Sequence, residues 1–124
     1  MATAFDAPTL EALDRAMEVE IETLRPDGVP HLTTIWLIVD RGEVFVRSWR
    51  GDRGYWYQGA LDSPGEVTLH VAGRTIPVRV VQATDETSIN RCSIALERKY
   101  AGDPATPSMV RPGALGTTLR LEPR

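Results

Sequence analysis

The chain has 124 residues, 14 basic and 17 acidic side chains, a formal net charge of -3 and a sequence pI near 5.4. That length predicts one domain over residues 1–124 with a core that needs no disulfide staples, and the acidic balance excludes a broad electrostatic footprint for nucleic acid. Cys92 has no cysteine to pair with, and the longest apolar stretch, Ile35 to Val39, falls far short of the roughly 20 residues that span a bilayer, so a cytoplasmic protein without a membrane partner is expected.

Taken in chain order, Leu10, Leu13 and Met17 recur at helical spacing and predict a short helix from Thr9 to Met17 capped by Thr9. Val19, Ile21 and Thr23 alternate with Glu18, Glu20 and Glu22, the pattern of a half-solvated strand, and Pro26-Asp27-Gly28 turns it back. Pro30 to Val39 then reads as one strand about 30 Å long at roughly 3.3 Å per residue. Asp40-Arg41-Gly42 turns into a strand from Glu43 to Trp49, Gly51 to Gly54 interrupts the pattern, and Tyr55 to Leu61 predicts a short helix stopped by Ser63-Pro64-Gly65.

Glu66 to Ala72 and the alternating Ile76, Val78 and Val80 form a second hairpin around a turn at Gly73-Arg74. Pro77 has no amide donor, which predicts an edge strand or a bulge there. Asp85 caps a helix running to about Ala101, with Ile89, Cys92, Leu96 and Tyr100 as its inner stripe and Gly102 as its stop; Cys92 is therefore expected to be a buried small hydrophobe. Pro104 to Pro112 reads as a loop with room for one helical turn, and Leu115 to Leu121 as a closing strand with Thr117, Leu119 and Leu121 on one face. Five or six antiparallel strands with peripheral helices make a mainly β, α+β fold, a small barrel whose closure avoids exposed sheet edges.

The candidate site is the tip that follows the strand from Glu43. Arg47, Ser48, Arg50 and Arg53 offer guanidinium and hydroxyl groups just before the backbone amides of a helix start, a cradle suited to a phosphate ester. Gly51 keeps the loop tight, and Trp49, Tyr55, Trp56 and Tyr57 are placed to wall a flat ring system. A basic cluster within an acidic chain suits one small anionic ligand. His31 and His70 lack a third ligand at metal spacing, so no metal site is predicted, and no Ser-His-Asp arrangement offers a nucleophile.

Gly28-Val29-Pro30-His31, Thr33-Thr34-Ile35-Trp36, Val44-Phe45-Val46-Arg47-Ser48, Trp56-Tyr57 and Ser63-Pro64 occur in an order and spacing that resembles the split β-barrel flavin-binding proteins related to pyridoxamine 5'-phosphate oxidase, including their deazaflavin-dependent nitroreductase branch. Lys99-Tyr100 closing a helix and Thr117-Thr118-Leu119-Arg120-Leu121 on a last strand are similar to uncharacterised members of that superfamily, so the resemblance covers most of the chain. It implies a split barrel that binds FMN, or a deazaflavin in its place, and acts as a small-molecule oxidoreductase. By that resemblance Ser48 and the nearby cations hold the cofactor phosphate, Thr33, Thr34 and Trp36 lie on the strand beneath the ring, and Trp56-Tyr57 matches the Trp-Tyr pair of the deazaflavin branch. It also implies a homodimer with a substrate pocket beside the ring, and no catalytic side chain, because the cofactor carries the redox chemistry. The chain departs from the pattern at Tyr57-Gln58-Gly59-Ala60-Leu61, where FMN-binding members place a cation before an Asn-Leu pair, and at Arg50-Gly51, where the deazaflavin branch has paired glycines. A cofactor-free barrel serving as a binding or structural module is the alternative.

Overall fold

The computed structural model describes residues 4–124. Helix α1 (Ala7–Arg15) leads into β1 (Val19–Leu24), β2 (Pro30–Ile35), β3 (Ile38–Asp40) and β4 (Glu43–Val46). After a single 3-10 turn at Gly51–Arg53 come α2 (Tyr55–Asp62), β5 (Val67–Val71), β6 (Arg74–Gln82) and α3 (Glu86–Lys99), followed by the short α4 (Thr106–Val110) and α5 (Pro112–Leu115) and by β7 (Leu119–Pro123). All strands belong to one 7-stranded sheet in the order β2-β1-β5-β6-β7-β4-β3, and every pairing is antiparallel.

That order forces the sheet to curl. Its two edges, β2 and β3, are separated in the chain only by Trp36 and Leu37. Three Cα steps of 3.8 Å reach at most about 11 Å, whereas the outer strands of a flat sheet of this size would stand about 29 Å apart at roughly 4.8 Å per strand. The expected strand from Pro30 to Val39 is therefore two strands, broken where the barrel edges meet. Helix α3 supplies part of the hydrogen bonding that the ladder gives up at the break. Lys99 Nζ donates to the Leu37 carbonyl at 2.8 Å, and the Leu37 N–H donates to the Tyr100 hydroxyl at 3.3 Å.

Alternation along the strands fills the barrel. Val19 and Ile21 of β1, Val67, Leu69 and Val71 of β5, Ile76, Val78 and Val80 of β6, and Leu119 and Leu121 of β7 point inward with Leu13, Trp56, Tyr57 and Ala60. Strand β4 is covered on both sides: Val44 and Val46 face this interior, while Phe45 packs with Ile38, Cys92, Ala95, Leu96, Tyr100 and Met109 in a second cluster beneath α3. A strand buried on two faces reads as an unbroken apolar run, which Glu43-Val44-Phe45-Val46 begins to show. Arg91 fastens α3 to the β3–β4 hairpin by bonds of 2.6 Å to both Asp40 and Glu43.

The other boundaries shift for local reasons. The first helix begins at Ala7, because Asp6 and not Thr9 is its cap; the Asp6 carboxylate accepts the Thr9 N–H at 2.9 Å, and Pro8 sits in the first turn where no amide is needed. Strand β4 ends at Val46 rather than Trp49, and β7 starts at Leu119 because Leu115 ends α5. Ala72 and Gly73 hold the positive φ values of the β5–β6 turn, and Arg74 already belongs to β6. Strand β6 is internal, contrary to the edge position that Pro77 suggests. Its carbonyl accepts the Arg124 N–H at 3.3 Å, so the nitrogen faces the flank where β7 is ending, and one ladder bond is all that proline forgoes.

Candidate cofactor pocket

At one end of the barrel, β2, the tip after β4, the start of α2 and helix α4 enclose a pocket of about 500 Å³, within the usual range for small-molecule sites. Thr33, Thr34, Ile35 and Trp36 line one side, Arg47, Ser48, Trp49 and Arg50 another, with Gly54, Tyr55 and Trp56 at the helix start and Ala105 and Met109 opposite. Glu18 and His31 complete the lining, and the His31 ring meets Tyr55 edge-on at 5.1 Å.

Ser48 carries the most pointed chemistry. Its N–H donates to Thr117 Oγ1 at 3.0 Å, which fixes the backbone, yet its own Oγ is buried and bonds to nothing among the described residues. A buried hydroxyl without a partner is unfavourable unless something else satisfies it. Gly54 makes the same corner: a Cβ there would lie 2.2 Å from Ser48 Oγ, so only glycine lets α2 begin so close to the strand tip. With Gly54 as its cap residue, α2 has no capping side chain, and the amides of its first turn open beside that hydroxyl. Orphan hydroxyl and uncapped helix start together fit an acceptor-rich group such as a phosphate.

Arg47, expected to offer its guanidinium to the phosphate cradle, has that group bonded within the protein. It is 1% exposed and donates from Nε to Thr118 Oγ1 at 2.8 Å, from one terminal nitrogen to Ser93 Oγ at 2.9 Å and the Met109 carbonyl at 3.1 Å, and from the other to the Ile89 carbonyl at 2.7 Å. The guanidinium thus ties β4 to α3, α4 and the approach to β7, and burial holds its pKa below the ordinary arginine value. Arg50 and Arg53 are exposed, and among the described residues neither forms an ion pair.

Of the residues the sequence singles out, Thr33, Thr34, Arg47, Ser48, Trp49, Arg50 and Trp56 share this pocket. Gly51, Arg53 and Tyr57 are not among its lining residues; Tyr57 points into the barrel core, where burial raises its pKa. Sequence reasoning missed Ala105 and Met109, which sit in a Pro-rich stretch with no periodicity, and Glu18, which reads as one of a row of solvated carboxylates. Trp36 is seated by stacking on Tyr100 with ring centroids 3.9 Å apart and planes 3° from parallel. Among the described residues no three His, Cys, Asp or Glu side chains gather at metal-holding distance, and no helix is long and apolar enough to cross a membrane.

A family described as an uncharacterized protein conserved in bacteria, DUF2255, matches residues 9–121. The chain belongs to that family. No curated protein matches the sequence. Solved structures share the fold, including both the pyridoxamine 5'-phosphate oxidase-like and the deazaflavin-dependent reductase split barrels. An F420-H2 dependent reductase, FDR-A, superposes with a TM-score of 0.62 at 15% identity, covering 88% of this chain and 96% of its own. A candidate pyridoxamine 5'-phosphate oxidase from Listeria innocua gives 0.62 at 13% identity over 94% of this chain and 90% of its own. HutZ, the heme storage protein from Vibrio cholerae, gives 0.66 at 13% identity over 95% and 89%. At such identities the likeness carries the fold alone.

Proposed function

We propose that this DUF2255 protein is a small-molecule oxidoreductase that binds a phosphorylated flavin-type cofactor, FMN or a deazaflavin, in the pocket at the end of its barrel. The unsatisfied Ser48 hydroxyl against Gly54 carries the reading, because it is a buried polar atom at a ligand-sized pocket that an incoming phosphate oxygen would complete. Arg50 and the first-turn amides of α2 join Ser48 in holding the phosphate, while Trp49, Tyr55 and Trp56 flank a planar ring and β2 offers Thr33 and Thr34 to its polar edge. When bound, such a cofactor supplies the hydride or electron transfer, leaving the protein to orient it and exclude water. The fold shared with an F420-H2 dependent reductase supports the same assignment.

A homodimer belongs to this reading. Trp49 and Tyr55 of the pocket lining and Val29 and Leu32 at the start of β2 are large apolar side chains left exposed, and a second copy would cover them.

Titration of the purified protein with FMN, a deazaflavin and heme, followed by visible absorption and fluorescence, tests the assignment. Saturable flavin or deazaflavin binding that Arg50→Ala weakens and Arg41→Ala, in the distant β3–β4 turn, leaves unchanged is expected. Heme binding alone would assign the pocket to a different chemistry, and failure of all three ligands would favour the cofactor-free module. Light scattering at micromolar concentration checks the dimer, and a monomeric mass would refute it.

A further inference from the structure

We propose that Arg47, a buried guanidinium in the pocket wall without a counter-ion of its own, is the residue that makes this pocket select an anionic ligand group. The inference rests on the cofactor reading above but concerns the charge of the ligand and not its ring.

Every partner of this guanidinium is neutral: two hydroxyls, Thr118 and Ser93, and two carbonyls, Met109 and Ile89. Its titratable neighbour Cys92 stays a thiol, because burial pushes its pKa up to about 11. Among the described residues no carboxylate lies within ion-pair distance of Arg47. A cation taken out of water is strongly disfavoured unless an opposite charge answers it, and the protein provides none. The pocket is where one can arrive. Arg47 borders it, and Met109, whose carbonyl holds the guanidinium at 3.1 Å, lines the same wall. An anion seated on Ser48 would occupy the pocket that Arg47 also lines, one residue along the chain from this buried charge. The other ionisable side chains of the lining are Glu18, Arg50 and Tyr55, all exposed, and the half-buried His31.

Burial gives Arg47 a signature that Arg50 lacks. Exposed charges are screened by salt, whereas a guanidinium shielded by protein keeps its pull on a neighbour that is itself out of water. The preference of the wild-type protein for FMN over riboflavin, which has the ring but no phosphate, is therefore measured by fluorescence titration at about 50 and about 500 mM NaCl. A preference of at least about tenfold that changes by less than about threefold across this range is expected, and Arg50→Ala retains a salt-resistant part of it. Collapse of the preference toward unity at high salt, or on Arg50→Ala alone, would assign selection to the surface arginine and overturn the proposal. Arg47→Lys keeps the charge and is expected to keep the preference, and Arg47→Met to lose it; should either fail to fold, the wild-type salt series decides. If neither flavin binds, the cofactor reading fails separately, and inorganic phosphate is titrated against the thermal midpoint. Salt-resistant stabilisation by phosphate would still support Arg47, and its absence at both salt concentrations would end the proposal.

Discussion

The Ser48 hydroxyl and the Gly54 backbone stand so close that a Cβ at position 54 would lie 2.2 Å from Ser48 Oγ, while Ser48 Cβ would remain at 3.4 Å, an ordinary contact. The clash therefore belongs to one oxygen. That oxygen bonds to nothing among the described residues, so the folded protein keeps a tight corner around a group it does not itself use.

Ser48→Ala is accordingly expected to leave the unliganded protein as stable as before, or more stable by up to about 1 kcal/mol, because an unsatisfied buried hydroxyl is removed. Affinity for the phosphorylated cofactor falls about tenfold in the same variant. Gly54→Ala destabilises by about 1–3 kcal/mol through overpacking, and adding Ser48→Ala recovers most of that loss. Urea unfolding of the three variants checks the pattern; a Ser48→Ala protein that loses more than about 1 kcal/mol would mean that the hydroxyl serves the fold.

Tyr100 separates a hydrogen-bonding role from a packing one. Its hydroxyl donates to the Met17 carbonyl at 2.8 Å and accepts the Leu37 N–H at 3.3 Å where the long strand breaks, while its ring stacks on Trp36. Tyr100→Phe keeps the stack and is expected to cost about 1–2 kcal/mol, and Tyr100→Ala about 3–5 kcal/mol. Urea unfolding of both variants checks the split; a Tyr100→Phe protein as stable as wild type would show that the hydroxyl contributes little to closing the barrel, and equal losses in the two variants would show that the ring contributes little.

What the sequence reveals follows from how local each determinant is. The β1 strand, the Asp40-Arg41-Gly42 turn, the Asp85 cap and the apolar stripe of α3 each depend on neighbours within a few residues, and each is legible. The break at Trp36 and Leu37 depends on the closure of a whole sheet, and nothing in Ile35-Trp36-Leu37-Ile38-Val39 distinguishes it from a continuous strand. Pro77 misleads for the same reason, since its neighbour strand happens to be ending opposite it. In the site, the strand tip and the helix start are adjacent in the chain and could be read together. The burial of Arg47 could not, because its partners Ser93, Met109 and Thr118 come from later elements with which it has no sequence relation.

Asp85 gives a stability term with a defined sign in acid. Hydrogen bonding to Ser88, whose N–H reaches the carboxylate at 3.0 Å, holds its pKa below the ordinary 3.8. A carboxylate with a depressed folded pKa contributes stability that is present above its unfolded value and lost as pH falls through the folded one. The stability difference between wild type and Asp85→Asn, which keeps an acceptor oxygen but cannot titrate, should therefore shrink as pH drops below 3.8. A difference that stays constant into that range would show that the charge on Asp85 does not contribute.

Cys92 supplies the opposite limb. It is fully buried among Phe45, Ala95, Leu96 and Met109, and burial outweighs the pull of nearby Arg47, raising the thiol from 9.0 to about 11. Between those values the unfolded chain releases a proton that the folded chain retains, so this contribution to stability is complete below pH 9.0 and is lost as pH rises through about 11. Cys92→Ala removes that limb, and its stability relative to wild type should improve steadily through the same window even though the variant starts lower at neutral pH. The native thiol should also label slowly with a disulfide reagent, since at pH 8 only about one thiol in a thousand is ionised at such a pKa and the reagent must wait for the α3 cluster to open. Labelling should accelerate in step with urea unfolding. Fast labelling of the folded protein, with loss of any redox activity, would instead make Cys92 a working thiol.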